Sequence, residues 1–161
     1  MPLRMTQAEV DAYTQKLSQW RSGIVPKAPG RRKKHGPCEW KLPEIWDGVM
    51  SVTLPLKLVN GANQRECWRE AAKRAKAQRE IVAGAIPRRA LPPLPAIVRI
   101  TRMGPRLMDD DGNTIAAKHV RDAIADLFCL DDSSPLLAFE YAQERGDYGV
   151  MIQIRPRGDH V

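Results

Sequence analysis

The order of strand-like and helix-like segments in this 161-residue chain predicts an α/β fold with a mixed β-sheet. Two observations carry the prediction. Apolar residues alternate with polar ones in residues 49–58 and around Val98 and Ile100, as they do in half-buried strands, whereas two longer segments repeat apolar or cationic residues at helical spacing. From residue 49 to residue 155 the order is β-α-β-α-β-β, and we expect the helices to lie on one face of the sheet.

The four predicted strands span residues 49–58, 96–103, 136–143 and 148–155. Pro55 in the first strand predicts a bend or an edge position, because proline cannot donate a ladder hydrogen bond. The last two strands are separated by residues 144–147, a length that suits a hairpin. We therefore expect these two strands to pair with each other.

The two predicted helices of this domain span residues 64–83 and 113–127. The first is rich in Ala, Arg, Lys, Glu and Gln, which are strong helix formers. The second places an apolar face along one side, formed by Ile115, Val120, Ala123, Ile124 and Leu127. A further helix is predicted over residues 6–20, where Thr6 and Glu9 have the spacing of a capping box.

The positive charge of the chain is concentrated in its N-terminal arm. The net charge is +7, and residues 12–38 contain seven Lys and Arg residues and no acidic residue, among them Arg31, Arg32, Lys33 and Lys34. Residues 23–43 are also rich in Pro and Gly, which predicts a flexible linker. We therefore divide the chain into an arm, residues 1–48, and a domain, residues 49–161. Such an arm favours contacts with DNA phosphates over a purely solubilising role.

A second basic surface is predicted on the helix over residues 64–83. Four cations recur there at intervals of three or four residues and share one helical face. They are Arg65, Arg69, Lys73 and Lys76. Two glutamates of the same helix partly offset this charge, so a solvated face and a DNA-binding face remain equal alternatives.

Membrane proteins and disulfide-rich secreted proteins are not indicated. No apolar segment has the length of a membrane span, and the first residues lack the apolar region of a secretory signal. The three cysteines are far apart and odd in number, which does not predict a disulfide framework. We therefore expect a cytoplasmic protein without a membrane partner.

An acidic run, Asp109-Asp110-Asp111-Gly112-Asn113, follows the second predicted strand. Adjacent carboxylates repel one another unless a cation neutralises them, and Mg²⁺ prefers such oxygen ligands. A second pair, Asp131-Asp132, follows the next helix, so the two groups can meet only through the sheet fold or across a dimer. An EF-hand is excluded because its twelfth position would be Val120. A simple helix-capping role remains an alternative.

Taken in order, these residues resemble the RusA-type Holliday junction resolvases, a family encoded by phages and prophages. Its signature is D-x-D-N, then a helix with a Lys and a later Asp-Ala, then a hydrophobic residue and Asp-Asp. The matching residues are Asp109-Asp110-Asp111-Gly112-Asn113, Lys118, Asp122-Ala123 and Leu130-Asp131-Asp132, and Asn60 and Asn63 follow an opening strand similar to that of the family. The resemblance covers about residues 50–155. Gly112 is an addition to the signature, and Lys118 is farther from the acidic run than is usual.

The resemblance implies a homodimeric, Mg²⁺-dependent endodeoxyribonuclease that resolves four-way DNA junctions by paired phosphodiester hydrolysis in recombination and repair. It implies Asp109, Asp111 and Asp132 as Mg²⁺ ligands and Lys118 as an assisting catalytic residue. Asp110 and Asp131 are rival ligands. One alternative is a branched-DNA-binding protein of the same fold that has lost catalysis. Another is an unrelated interaction or packaging module.

Overall fold

The structure is a computed structural model and describes residues 36–61 and 66–158. The predicted helix over residues 6–20, the basic cluster Arg31–Lys34, and Arg65 lie outside these residues. The elements in chain order are β1 (Lys41–Trp46), β2 (Val49–Leu54), α1 (Trp68–Ala85), a 3₁₀ turn (Arg88–Ala90), β3 (Ala96–Gly104), α2 (Asp110–Ala116), α3 (Lys118–Leu127), β4 (Leu137–Arg145) and β5 (Gly149–Pro156).

The five strands form one open sheet in the order β1-β2-β5-β3-β4. β3 and β4 are parallel, and the other neighbouring strands are antiparallel. The predicted α/β class with a mixed sheet is therefore confirmed. Because β3 and β4 are parallel, α2 begins at the edge of the sheet where β3 ends, and α3 returns the chain to the opposite edge, where β4 begins.

The predicted hairpin between the last two strands is wrong, because β3 lies between them. Ile100 of β3 is in register with Tyr141 of β4 on one side and with Ile152 of β5 on the other. Ile100 is 1% exposed. The central position buries this apolar strand and gives both of its edges backbone partners.

β1 was not predicted. It pairs with β2 across Asp47 and Gly48, whose φ angles of 51° and 74° suit a two-residue hairpin turn. The Asp-Gly pair is a strong hairpin signal, and in the structure residues 41–46 of the arm extend the sheet. β2 ends at Leu54, immediately before Pro55, so the strand predicted over residues 49–58 is shorter than expected.

The core lies between the sheet and the contacting helices α1 and α3. Val52, Val98 and Ile152, which share one face of the sheet, are fully buried against it. The predicted apolar face of the second helix is buried in α3, but Ile115 is 48% exposed, contrary to expectation. The structure divides the predicted helix at Ala117, and Ile115 belongs to the first part, α2, rather than to α3.

α2 begins at Asp110, three residues earlier than predicted, with Asp109 as its N-cap residue. Helical hydrogen bonds continue across the division, from Ala117 N to Asn113 O (3.1 Å) and from Arg121 N to Ala117 O (2.9 Å). The acidic run therefore forms the first turn of a helix. None of the helices in residues 36–61 and 66–158 is long and apolar enough to cross a membrane.

Candidate functional site

The acidic run lies at the edge of the sheet where β3 and β4 end. β2 ends and β5 begins at the same edge, because Leu54 pairs with Val150. The loop that follows β2 contains Asn60, which the sequence places in the RusA-like opening segment. Segments that are far apart in the sequence therefore lie together at this edge.

Asp109, Asp110 and Asp111 are all exposed at the start of α2. The positive end of a helix dipole favours carboxylates, which explains how three of them are tolerated in succession. Asp109 has the extended backbone of an N-cap residue but makes no side-chain capping hydrogen bond. Asp109 therefore does not cap α2 with its side chain, as the helix-capping alternative would require.

The side chains of Asp109 and Asn60 both lie close to Gly112. A Cβ atom at Gly112 would lie 2.8 Å from Nδ2 of Asn60 and would collide with Oδ1 of Asp109. Gly112, the residue added to the family signature, therefore leaves room for both side chains. The carboxylates of Asp109 and Asp111 and the amide oxygen of Asn60 are hard donors of the kind that Mg²⁺ prefers.

The residues immediately before the acidic run are held by β3 and β4. Oε1 of Gln143 accepts a hydrogen bond from Met108 N (2.8 Å), and its Nε2 donates to Met108 O (2.9 Å). Arg102, in register with Gln143, donates from Nη1 to Arg106 O (2.9 Å). Sequence reasoning missed Arg102 and Gln143, because a polar residue in a strand has no recognisable role until its register is known.

Asn113 attaches α2 to β4. It is 4% exposed, and its Nδ2 donates to Ala142 O (3.3 Å). Its Oδ1 is buried and has no hydrogen-bond partner among the described residues. A buried amide oxygen of this kind is a site that water or a ligand normally satisfies, and Asn113 is adjacent to Gly112. The last residue of the D-x-D-N signature thus has a structural attachment to the sheet.

The structure does not bring Asp132 to Asp109 and Asp111. Asp132 follows α3, at the opposite edge of the sheet, and its Oδ2 lies 2.7 Å from Nη2 of Arg121. Across residues 36–61 and 66–158, no group of three His, Cys, Asp or Glu residues is arranged to hold a metal ion. The predicted set of three ligands is therefore divided between the two edges.

Asp131, a rival ligand, stabilises a local turn. Its Oδ1 accepts hydrogen bonds from the backbone N–H (2.9 Å) and the hydroxyl of Ser133. These hydrogen bonds, that of the hydroxyl first, lower the pKa of Asp131. The turn that these two hydrogen bonds close explains the presence of Asp131 at this position without a metal ion.

The predicted cations that the structure describes are exposed. Lys118 begins α3, and Arg69, Lys73 and Lys76 lie on α1. The guanidinium of Arg69 lies 5.3 Å from the ring centroid of Trp68, which is itself 72% exposed. This surface offers charge and an aromatic face to a ligand such as DNA.

A separate charged group joins α1 to α3. Nη2 of Arg79 lies 2.9 Å from Oδ2 of Asp122, and Nδ1 of His119 lies 3.9 Å from the same oxygen. Burial lowers the pKa of His119, and the charge of Arg79 lowers it further, while Asp122 acts in the opposite direction. Asp122 of the family signature thus connects two helices and lies apart from the acidic run.

No protein-family model, curated protein or solved structure matches this chain. The resemblance to RusA-type resolvases rests on the ordered residues alone. A proposal about function must therefore rest on these residues and on the geometry of the sheet edge at which the acidic run lies.

Proposed function

We propose that this protein is a Mg²⁺-dependent endodeoxyribonuclease that cleaves branched DNA, with the four-way junction of recombination and repair as its substrate. The proposal rests mainly on the position and surroundings of Asp109. This residue occupies the N-cap of α2, makes no side-chain capping hydrogen bond, and has its carboxylate close to Gly112, where the absence of a Cβ atom leaves room for it and for the amide of Asn60. An exposed carboxylate in this arrangement is suited to a hard cation.

In this proposal Asp109 and Asp111 would hold Mg²⁺, which would polarise the scissile phosphate and lower the pKa of the attacking water. Lys118 stabilises the negative charge of a phosphate oxygen in the transition state. The exposed cations of α1 and the basic arm bind phosphates without reading base sequence.

We assign Asp132 as a third ligand that a second subunit supplies. In its own subunit Asp132 belongs to the opposite edge of the sheet and is paired with Arg121. A homodimer with two-fold symmetry would form two equivalent composite sites, and a four-way junction can present two symmetric strands to them. Paired cleavage would then follow from the symmetry of the dimer.

The alternative is a branched-DNA-binding protein of the same fold that does not cleave. The observation that favours it is the division of the acidic residues, since no three of them form a metal site among the described residues. Such a protein would bind a four-way junction equally well in Mg²⁺ and in EDTA. Cleavage therefore separates the two functions.

The first experiment incubates the full chain with a synthetic four-way junction, and separately with a linear duplex of the same length, in Mg²⁺ and in EDTA. We expect symmetric nicks that require Mg²⁺ and occur only in the junction. Asp111→Asn should abolish cleavage and leave junction binding intact, whereas Asp126→Asn, an exposed residue of α3, should retain both. A fully active Asp111→Asn protein would contradict the proposal, and binding without cleavage by the unmodified chain would favour the alternative.

A further inference from the structure

We propose that Gln143 and Arg102 are positioning residues, which hold the backbone before Asp109 so that this carboxylate is ready for the metal ion. The inference rests on the proposed function, because it concerns the same metal site. Neither residue belongs to the acidic signature. The two are neighbours in register on β4 and β3, at the edge where the acidic run begins.

Gln143 engages both backbone polar groups of Met108. It accepts from Met108 N at 2.8 Å and donates to Met108 O at 2.9 Å, so its amide is used on both sides. The carbonyl carbon of Met108 is bonded to the nitrogen of Asp109. The amide of Gln143 thus restrains the peptide that leads directly into the proposed metal ligand.

Arg102 supports the same segment from β3. It is 5% exposed, and no salt bridge joins it to a carboxylate in the described part of the chain. Its Nη1 donates to Arg106 O at 2.9 Å and to Oε1 of Gln143 at 3.4 Å. Burying a guanidinium costs solvation free energy, and these two hydrogen bonds, one to the segment before Asp109 and one to Gln143, offset part of that cost.

The far end of the segment is attached to the neighbouring residue of β4. Asn113 Nδ2 donates to Ala142 O, and Asn113 N donates to Asp109 O at 2.9 Å. The acidic run is therefore attached to consecutive residues of one strand, through Gln143 before Asp109 and through Asn113 after it. Residues that hydrogen-bond directly to a metal ligand commonly change metal affinity about 10- to 100-fold when they are replaced, and Gln143 acts one residue away from the ligand.

The test compares Gln143→Ala with the unmodified chain and with Gln153→Ala. Gln153 is the same residue type on β5, in register with Arg99. Three quantities are measured: binding of Mn²⁺ as a substitute for Mg²⁺ by electron paramagnetic resonance, the Mg²⁺ concentration that gives half-maximal junction cleavage, and the melting temperature in EDTA. Mn²⁺ binding does not depend on catalytic activity, and melting in EDTA reports folding without metal.

We expect Gln143→Ala to weaken Mn²⁺ binding and to raise the half-maximal Mg²⁺ concentration, each by up to about 10-fold, the lower end of the range for direct partners of a ligand. Cleavage at saturating Mg²⁺ should be largely restored, because excess metal compensates for a poorly placed ligand. Gln153→Ala should change neither quantity. Should Gln143→Ala fail to fold, Gln143→Glu carries the test, because it keeps the acceptor for Met108 N and loses the donor to Met108 O.

The outcomes separate this inference from the proposed function. An unmodified chain that binds Mn²⁺ and cleaves junctions, with a Gln143→Ala variant of unchanged metal dependence, would overturn the inference and leave the function standing. An unmodified chain that neither binds Mn²⁺ nor cleaves would overturn both. A folded variant with weakened metal binding and restored cleavage at high Mg²⁺ supports both.

Discussion

The carboxylate of Asp132 is paired with the guanidinium of Arg121 at 2.7 Å, although the sequence groups Asp132 with Asp109 and Asp111 as metal ligands. The parallel pairing of β3 and β4 causes this separation, because α2 and α3 carry the chain from one edge of the sheet to the other. Asp132 can complete the proposed metal site either from another subunit or, within its own subunit, only by leaving Arg121 and moving to the other edge of the sheet. The two cases have different consequences in a mixed dimer.

Mixing the two inactive variants Asp111→Asn and Asp132→Asn should restore nicking of a four-way junction. In a mixed dimer with composite sites, one site carries both substitutions and the other carries neither. The restored product should consist mainly of single nicks, since only one site is intact. The measurement is gel separation of nicked strands after the variants are unfolded and refolded together. If no mixture shows activity, the third ligand does not come from the second subunit.

Gly112→Ala should weaken metal binding without weakening the fold. The atoms nearest to the new Cβ are the ends of two side chains, Asp109 and Asn60, so those groups would be displaced. Alanine stabilises a helix by up to about 1 kcal/mol relative to glycine, which offsets the cost of that displacement. Mn²⁺ binding and urea unfolding measure the two effects separately. Gly146→Ala is the control, since a Cβ there meets nothing within 4 Å, and equal metal binding by both variants would contradict this account of Gly112.

Asn113→Asp should destabilise the fold by about 3 kcal/mol at neutral pH, because it places a carboxylate in a buried position beside the carbonyl oxygen of Ala142. Burial would raise the pKa of the introduced carboxyl in the folded protein. The loss of stability is therefore full above this raised pKa, decreases as pH falls, and disappears below the pKa that the same carboxyl has in the unfolded chain. Urea unfolding near pH 7 and at acidic pH measures both parts. A penalty that does not change with pH would mean that the carboxylate is not the cause. Gln153→Glu, at a half-buried position, serves as the control.

His119 should make folding less favourable in mildly acidic solution. Burial, followed by the charge of Arg79, lowers its pKa below the ordinary value of 6.5, and Lys118 and Arg74 act in the same direction while Asp122 opposes them. Between the two pKa values the unfolded chain binds the proton and the folded chain does not. The free energy of unfolding therefore falls as pH decreases through this window.

His119→Gln removes this titration and tests the assignment. The free energy of unfolding, measured by urea at several pH values from about 8 to about 5, should lose part of its decrease below the ordinary histidine pKa of 6.5. The comparison between the variant and the unmodified chain cancels the contribution of the carboxylates common to both. Parallel curves for the two proteins would show that His119 titrates alike in the folded and unfolded states.

Much of the local structure could be predicted from the chain because it depends on near neighbours. The alternation around Val98 and Ile100 indicated β3, and the apolar face from Val120 to Leu127 indicated α3; both are confirmed. β1 was missed although Asp47-Gly48 offered a hairpin signal, because the surrounding Pro and Gly residues resemble a linker. The failed hairpin of β4 and β5 has a different cause, since loop length limits which strands can pair but does not choose between β3 and β5 as the neighbour of β4.

The sequence by itself determined the α/β class, most of the elements and the presence of the acidic run, because periodicity and clustered carboxylates are properties of neighbouring residues. Only the tertiary structure decided that Gln143 engages Met108, 35 residues away, and that Asp132 pairs with Arg121 at the other edge. Contacts of this kind depend on strand order and register. Those are set by burial of the whole core, so no local pattern contains them.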